Sequence, residues 1–327
     1  MQLGIATFIL CSTLLGAARA ESSRLAEDLF RTNPDAVSVK AKLFLVAGNS
    51  QAASFAQEVV DQRKLWLASG FHEDEIECYY VVPLDEDLKH DRRRFLALAP
   101  ELSKCHISSV KRLRADLTAA AQGKPDFLYL YLTSHGDRPV AETLREASPR
   151  DRDYGDLKHM AKFPVFEKYQ LLVEGMPDGT ATSPELIGAL RGGMDSDDLF
   201  LTPSSLRKSL SSWGSIPKYV VLQGCFSGGF FDEGAATPEN EKLSTLSHIT
   251  LLSASRHDRS SFGCEPGVRA TYFGSVFHNL LAKRAASPLS IDWPQLFKEV
   301  RWQIVALEKR RHATPPSEPQ FFTNSVK

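Results

Sequence analysis

FLYLYLTSHGD, residues 127–137, decides the fold. Its first six residues are apolar or aromatic without a break, so both faces of the segment must be covered. A strand inside a parallel sheet has that requirement. The run then stops at Ser134, His135 and Gly136. KYVVLQGC (218–225) repeats the shape, an apolar run halted at Gly224 and Cys225. AKLFLVAG (41–48), EIECYYVVPL (75–84) and HITLLSAS (248–255) read as further strands, and PQFFT (319–323) as an extended tail. Between them, 54–70, 108–122, 202–214, 271–284 and 293–311 carry helical spacing or helix signals. Gly70 stops the first of these, and Thr202 caps the third ahead of Pro203. Strands alternating with helices predict an α/β fold, a mainly parallel sheet of about six strands with helices on both faces. No internal repeat is found.

Residues 138–200 break the pattern. They are polar, interrupted by glycine and proline, and include the charge run ASPRDRDYGD (147–156). The composition predicts an irregular insertion, a flap over something. The organisation expected is therefore a signal peptide over 1–20 and one domain over 21–327 carrying this insertion.

The first twenty residues, MQLGIATFILCSTLLGAARA, hold an apolar run and then Ala18-Arg19-Ala20, a small-x-small cleavage pattern. The run is short for a bilayer span. Export of a soluble protein, periplasmic or secreted, is expected, with cleavage after Ala20 and no membrane association afterwards. The remaining cysteines are Cys78, Cys105, Cys225 and Cys264, too few for a disulfide scaffold and without a CxxC pair. Cys78 and Cys105 could pair in an oxidising compartment. With 39 basic and 40 acidic side chains the chain offers no polyanion-binding surface, so no nucleic-acid partner is expected. The clusters Arg92-Arg93-Arg94 and Lys309-Arg310-Arg311 read as solvated helix faces or ends.

In parallel sheets the reactive groups gather outside the carboxyl ends of strands. Two such ends carry chemistry here, His135 and Cys225. Neighbouring strands lie about 4.8 Å apart, so loops from adjacent strands can share a pocket. A free thiol with a pKa of about 8.5 is only slightly ionised at neutral pH and needs a base beside it. An imidazole can take that proton and later protonate a leaving amine. The N–H groups of Gly136 and Cys225 could form an oxyanion hole, where one donor is worth about 3 kcal/mol of barrier.

TSHGD (133–137) and LQGCFSGGF (222–230) resemble the paired His-Gly and Cys motifs of the caspase–hemoglobinase cysteine peptidases, and within them the exported bacterial legumain-like branch. LFLVAGNSQ (43–51) resembles that family's first strand and its exit. SGFHEDEIECYYV (69–81) is similar to the connection into its second strand. SASRHDRSSFGCEPGVRATYFGSVF (253–277) is similar to the segment that walls the specificity pocket. The resemblance implies a caspase–hemoglobinase-like fold and peptide-bond hydrolysis through a thiol acyl-enzyme, on a protein or peptide substrate, with no metal or organic cofactor. It implies His135 as general acid/base, Cys225 as nucleophile, and Gly136 with Cys225 as oxyanion donors. Ser253, Ser255, Arg256, Asp258 and Glu265 are the polar candidates for the pocket.

The match departs from the family at defined points. No arginine stands in 49–57, and Phe226 occupies the position of the acidic residue beside the nucleophile, which removes the basis for asparagine preference. Asn49 and Gln57 are the candidates for a third catalytic residue; a turn residue and a helix-surface residue are the competing readings. His257 is a rival base, although no glycine follows it. Ser227 does not fit G-x-S-x-G. Cys264 reads as pocket wall, and no counterpart to the C-terminal inhibitory region of the animal and plant enzymes is expected. Two other functions remain open from sequence: a transpeptidase using the same dyad, and a catalytically silent protein-binding module of the same fold.

Overall fold

The structure is a computed structural model that describes residues 40–49, 52–83, 85–151, 154–173, 188, 190–265, 267–284 and 287–325. The expected signal peptide lies outside the described residues. The central sheet is built from β1 (Ala41–Ala47), β2 (Ile76–Tyr80), β3 (His106–Ile107), β4 (Phe127–Thr133), β7 (Lys218–Gln223), β8 (Ile249–Ser253) and β9 (Gln320–Thr323). Two short strands, β5 (Gly136–Asp137) and β6 (Gln170–Leu171), pair apart from it. The order across the sheet is β3-β2-β1-β4-β7-β8-β9, seven strands where about six were expected. Every pairing in it is parallel except β8 with β9, so the expected tail closes one edge as an antiparallel strand.

β4 is buried at all seven positions and lies between β1 and β7. Alternate side chains serve two cores, as the two-residue period of a strand requires. Leu43, Leu45, Tyr129, Tyr131 and Val221 face α1 (Ala53–Ala68), α8 (Tyr272–Ala282) and α9 (Trp293–Arg311). Phe44, Val46, Leu130, Leu132 and Leu222 face α3 (Val110–Gln122) and α7 (Pro203–Ser211). Thr202 caps α7 as expected, its side chain accepting from the Ser205 N–H. Each buried leucine or valine contributes about 1.5–3 kcal/mol.

Outside the insertion, one helix escaped the sequence reading. α2 (Asp85–Leu102) packs Phe95, Leu98 and Leu102 on α1. Its Arg94, read as part of a solvated cluster, donates to the backbone carbonyls of Val268 and Gly267, while Arg92 and Arg93 are exposed. Cys78 and Cys105 form a disulfide that joins β2 to the residue just before β3.

The insertion is more regular than its composition predicts. It holds α4 (Val140–Glu146), α5 (Tyr154–Met160), a 3-10 turn at Pro164–Glu167 and α6 (Ser196–Leu199). Val140, Met160, Val165, Phe166 and Phe200 gather into a small apolar core of their own. These residues are too far apart in sequence to show a period, and they become a core only when the short helices meet. β6 pairs antiparallel with β5, which ties the insertion to the residues after β4. Among the described residues no helix is long and apolar enough to cross a membrane.

Candidate active site

β4 and β7 run in parallel register, with Thr133 opposite Gln223, and the Ser134 N–H donates to the Gln223 carbonyl at 3.0 Å. The chain then leaves both strands through glycine-containing turns that almost touch. A Cβ on Gly136 would lie 2.2 Å from the Cys225 carbonyl oxygen. A Cβ on Gly224 would lie 2.6 Å from Leu171 Cδ2 and 3.0 Å from the Ser134 carbonyl. Glycine at these two positions is a requirement of close approach. His135 and Cys225 are thereby carried on adjacent loops at one lip of the sheet.

His135 is held by its surroundings on several sides. Phe55 of α1 meets its ring edge-to-face at 5.1 Å between centroids. Its carbonyl accepts from the Leu172 N–H at 3.1 Å, just beyond β6. Burial lowers its pKa from the ordinary histidine value, which favours the neutral ring that can accept a proton. Its neighbour Asp137 is pushed the other way, up to about 6, by burial.

Cys225 is a free, partly exposed thiol. Its sulfur is held by Ser261, accepting from the backbone N–H at 3.3 Å, lying 3.8 Å from Oγ, and donating to the carbonyl at 3.7 Å. No hydrogen bond joins the sulfur to the His135 ring among the described residues. The Cys225 N–H has no backbone acceptor among them either. Phe226 follows in the left-handed region at φ 57, a conformation that costs a non-glycine residue of order 1–3 kcal/mol. Its N–H donates to the Arg259 carbonyl at 2.8 Å, and the Arg138 guanidinium stands 5.5 Å from its ring centroid.

The remaining expected residues fall into three groups. Ser253 and Ser255 are buried, and Ser255 Oγ donates to the Gly224 carbonyl at 2.9 Å, bracing the turn from below. Ser227 is also buried and donates to that carbonyl at 2.8 Å. Arg256 and Asp258 pair with each other, and Arg256 also reaches Glu318 at 2.6 Å while Arg259 reaches Asp258 at 2.7 Å. These charges neutralise one another and fasten the loop after β8 to the residues before β9. Arg256 side by side with Asp258 holds that carboxyl down at about 2. Glu265 is exposed and makes no ion pair among the described residues.

His257 is engaged elsewhere. Its N–H and Nδ1 contact Asp232 Oδ2 at 3.1 and 3.3 Å, beside a cavity of about 330 Å³ whose lining includes neither His135 nor Cys225. Cys264 is half-buried, and desolvation, with Cys225 nearby, pushes its thiol up to about 11. Asn49 is buried just after β1. Gln57 donates to Asp61 at 2.9 Å on the side of α1. Among the described residues no group of three or more His, Cys, Asp or Glu side chains is placed to hold a metal ion.

Sequence reading missed Thr133, Gln223, Ser261 and Glu58. Thr133 Oγ1 is 2.7 Å from both Glu58 Oε2 and Gln223 Oε1, and Gln223 Nε2 donates to Ser261 Oγ at 3.4 Å. A signal was present, since FLYLYLT and KYVVLQ are apolar runs that each end in one hydrogen-bonding side chain.

Fold and site together define an α/β protein with a mainly parallel sheet and a histidine and a cysteine on adjacent carboxyl-end loops. The chain is similar to the crystal structure of caspase-1 from Spodoptera frugiperda, with 10% identity and a TM-score of 0.45 over 87% of this chain and 86% of that one. It is also similar to the structure of pro-sf-caspase-1, with 11% identity and a TM-score of 0.44 over 88% and 92%. The architecture rests on the strand order and the register of β4 with β7. No protein-family model and no curated protein matches the chain.

Proposed function

We propose that this chain is a cysteine endopeptidase that cleaves protein or peptide substrates through Cys225 and His135. The observation that carries the proposal is the near-contact of the two strand-end turns, a Cβ on Gly136 falling 2.2 Å from the Cys225 carbonyl oxygen. In this reading His135, kept neutral by burial, accepts the Cys225 thiol proton. The sulfur attacks the scissile carbonyl carbon, and the oxyanion is met by the N–H groups of Gly136 and Cys225. His135 returns the proton to the leaving amine, and water then hydrolyses the thioester with His135 as base. The thiol must first leave the Ser261 carbonyl; catalytic hydrogen bonds of this kind often tighten only when substrate is bound.

The finer reading is a legumain-like, exported enzyme. The quoted motifs support the first part, and the Cys78–Cys105 disulfide, a bond that persists in oxidising compartments, supports the second.

A second reading, the silent binding module, draws on the sulfur being bonded to Ser261 with no hydrogen bond to His135. One experiment separates them. The full chain, its Cys225→Ala variant and its His135→Ala variant are incubated with a proteome-derived peptide library, with and without an added amine nucleophile; products are read by mass spectrometry, and the reactivity of Cys225 by iodoacetamide labelling. Cleavage by the wild type alone is expected, and amine-capped products would identify transpeptidation. Equal cleavage by Cys225→Ala, or none by any protein with His135→Ala leaving Cys225 reactivity unchanged, overturns the peptidase reading.

A further inference from the structure

Glu58 lies on the inner face of α1 with 3% of its surface exposed, beneath the candidate site. Its Oε1 accepts from the Thr271 N–H at the start of α8 at 2.7 Å. Its Oε2 accepts from Tyr131 Oη at 2.7 Å and stands 2.7 Å from Thr133 Oγ1. A Cβ on Gly274 would fall 2.2 Å from the carboxyl carbon, so the helix backbone closes over the group. A carboxyl enclosed so tightly serves some purpose beyond covering a helix face.

Counting protons gives that purpose. Thr133 Oγ1 carries one hydrogen and has two close neighbours, Glu58 Oε2 and Gln223 Oε1. With the Gln223 amide oriented so that Nε2 donates to Ser261 Oγ, its oxygen faces Thr133 and can only accept, so in this arrangement the threonine proton goes to it. Glu58 must then donate to Thr133, which requires the neutral acid. Burial independently raises the Glu58 pKa, in the same direction. From Gln223 the donors continue one way: Nε2 to Ser261 Oγ at 3.4 Å, and the Ser261 hydroxyl proton toward Cys225 Sγ at 3.8 Å.

We propose that Glu58 is a positioning residue for the nucleophile: as the neutral acid it starts a one-way hydrogen-bond chain through Thr133, Gln223 and Ser261 that ends by donating to the Cys225 sulfur. Thr133 and Gln223 sit in register on β4 and β7, the strands that carry His135 and Cys225, so the chain crosses the sheet directly beneath the site. With the Ser261 N–H already on the sulfur at 3.3 Å, a thiolate there has two donors from one residue. Donors aligned in series polarise one another. Were Glu58 ionised, Thr133 would turn to the carboxylate and the Gln223 amide would reverse. Ser261 would then donate away from the sulfur.

The groups facing Glu58 are Tyr131 from β4, Thr271 from the start of α8, and, around a cavity of about 60 Å³, Asp61, Arg269 and His278. Arg269 is paired with Asp61 at 2.9 Å. Cys225 itself has Cys264 nearby and His135 on the adjacent loop.

The inference rests on Cys225 being the working thiol, so its test reads the sulfur directly, independent of peptide turnover. Iodoacetamide labelling of Cys225 is followed by peptide mass mapping across a pH series in the full chain. The variants are Ser261→Ala, Thr133→Val, Glu58→Gln, Glu58→Met and His135→Ala, each with a thermal melt. Ser261→Ala and Thr133→Val are expected to slow labelling about tenfold at mildly acidic pH, the effect of one lost hydrogen bond to a charged group. Glu58→Gln, whose amide nitrogen can donate to both Thr133 and the Tyr131 hydroxyl oxygen and whose oxygen can accept from the Thr271 N–H, is expected to keep the wild-type profile. Glu58→Met, with no donor, is expected to behave as Thr133→Val does. Should Glu58→Met not fold, Thr133→Val and Glu58→Gln decide. A wild-type profile in folded Thr133→Val, or slowing in Glu58→Gln as large as in Thr133→Val, overturns the proposal. If the series behaves as expected while His135→Ala leaves labelling unchanged and no peptide is cut, the hydrogen-bond chain stands and the peptidase reading falls.

Discussion

Gly136 passes so near Cys225 that residue 136 has no room for a side chain, a Cβ there meeting the Cys225 carbonyl oxygen at 2.2 Å. The neighbour in the way is backbone, which cannot swing aside as a side-chain tip can. Gly136→Ala should therefore push the two turns apart, lower stability by about 1–3 kcal/mol and reduce Cys225-dependent turnover far more. Gly155, on α5, is the control, because a Cβ added there would have nothing within 4 Å. Gly155→Ala should leave turnover unchanged and match or slightly exceed wild-type stability. Thermal melts and peptide cleavage rates on the pair check this.

Asp137 follows His135 and Gly136 with its carboxyl raised from 3.8 to about 6 by burial. A raised carboxyl is tolerated below its unfolded value and penalises the fold as pH climbs through the folded one. Asp137→Asn should thus raise the melting temperature at about pH 8, by the equivalent of about 2–3 kcal/mol, and change little near pH 4. Melts at the two pH values test the sign. A variant that stabilises equally at both would point to packing instead of charge.

The two free thiols should label at very different rates. Cys264 is pushed up to about 11, so only about one in ten thousand of its sulfurs is ionised at neutral pH. Cys225 is partly exposed and has the Ser261 N–H on its sulfur. Mass mapping after brief iodoacetamide treatment at pH 7 should find the label on Cys225, with Cys264 slower by at least about a hundredfold.

The Cys78–Cys105 bond closes a loop with a sequence separation of 27. Removing it by Cys78→Ala with Cys105→Ala should cost about 3–4 kcal/mol, the chain-entropy value for a loop of that length. Denaturant titration of the double variant gives the number. The loop contains α2, so local hydrogen exchange should rise there first.

Five strands and the edge tail were legible because continuous apolar runs ended at glycine, proline or a polar residue. His135 and Cys225 were legible for the same reason, as the residues at which two such runs break. The two-residue strands β3, β5 and β6 were not, since pairings that short leave no period. α2 was hidden by DEDLKHDRRR, a charged first half whose apolar contacts come only from Phe95 onward. Glu58 and Gln62 were hidden for a different reason: on an isolated helix a polar residue reads as solvent-facing. Here both point inward, Glu58 to Thr133 and Gln62 to the Tyr129 hydroxyl at 3.2 Å. Pairwise chemistry across the sheet is invisible until the strand register is known.

The pairing of β4 with β7 also sets a schedule. Thr133 leaves the ribosome long before Lys218, at about 5–20 residues per second a delay of several seconds. During that interval the nascent chain holds its imidazole but not its sulfur. On the chemistry proposed above, the growing polypeptide is harmless to itself until the second of these strands emerges. β9, translated after both, seals the sheet edge only once the two reactive groups are in place.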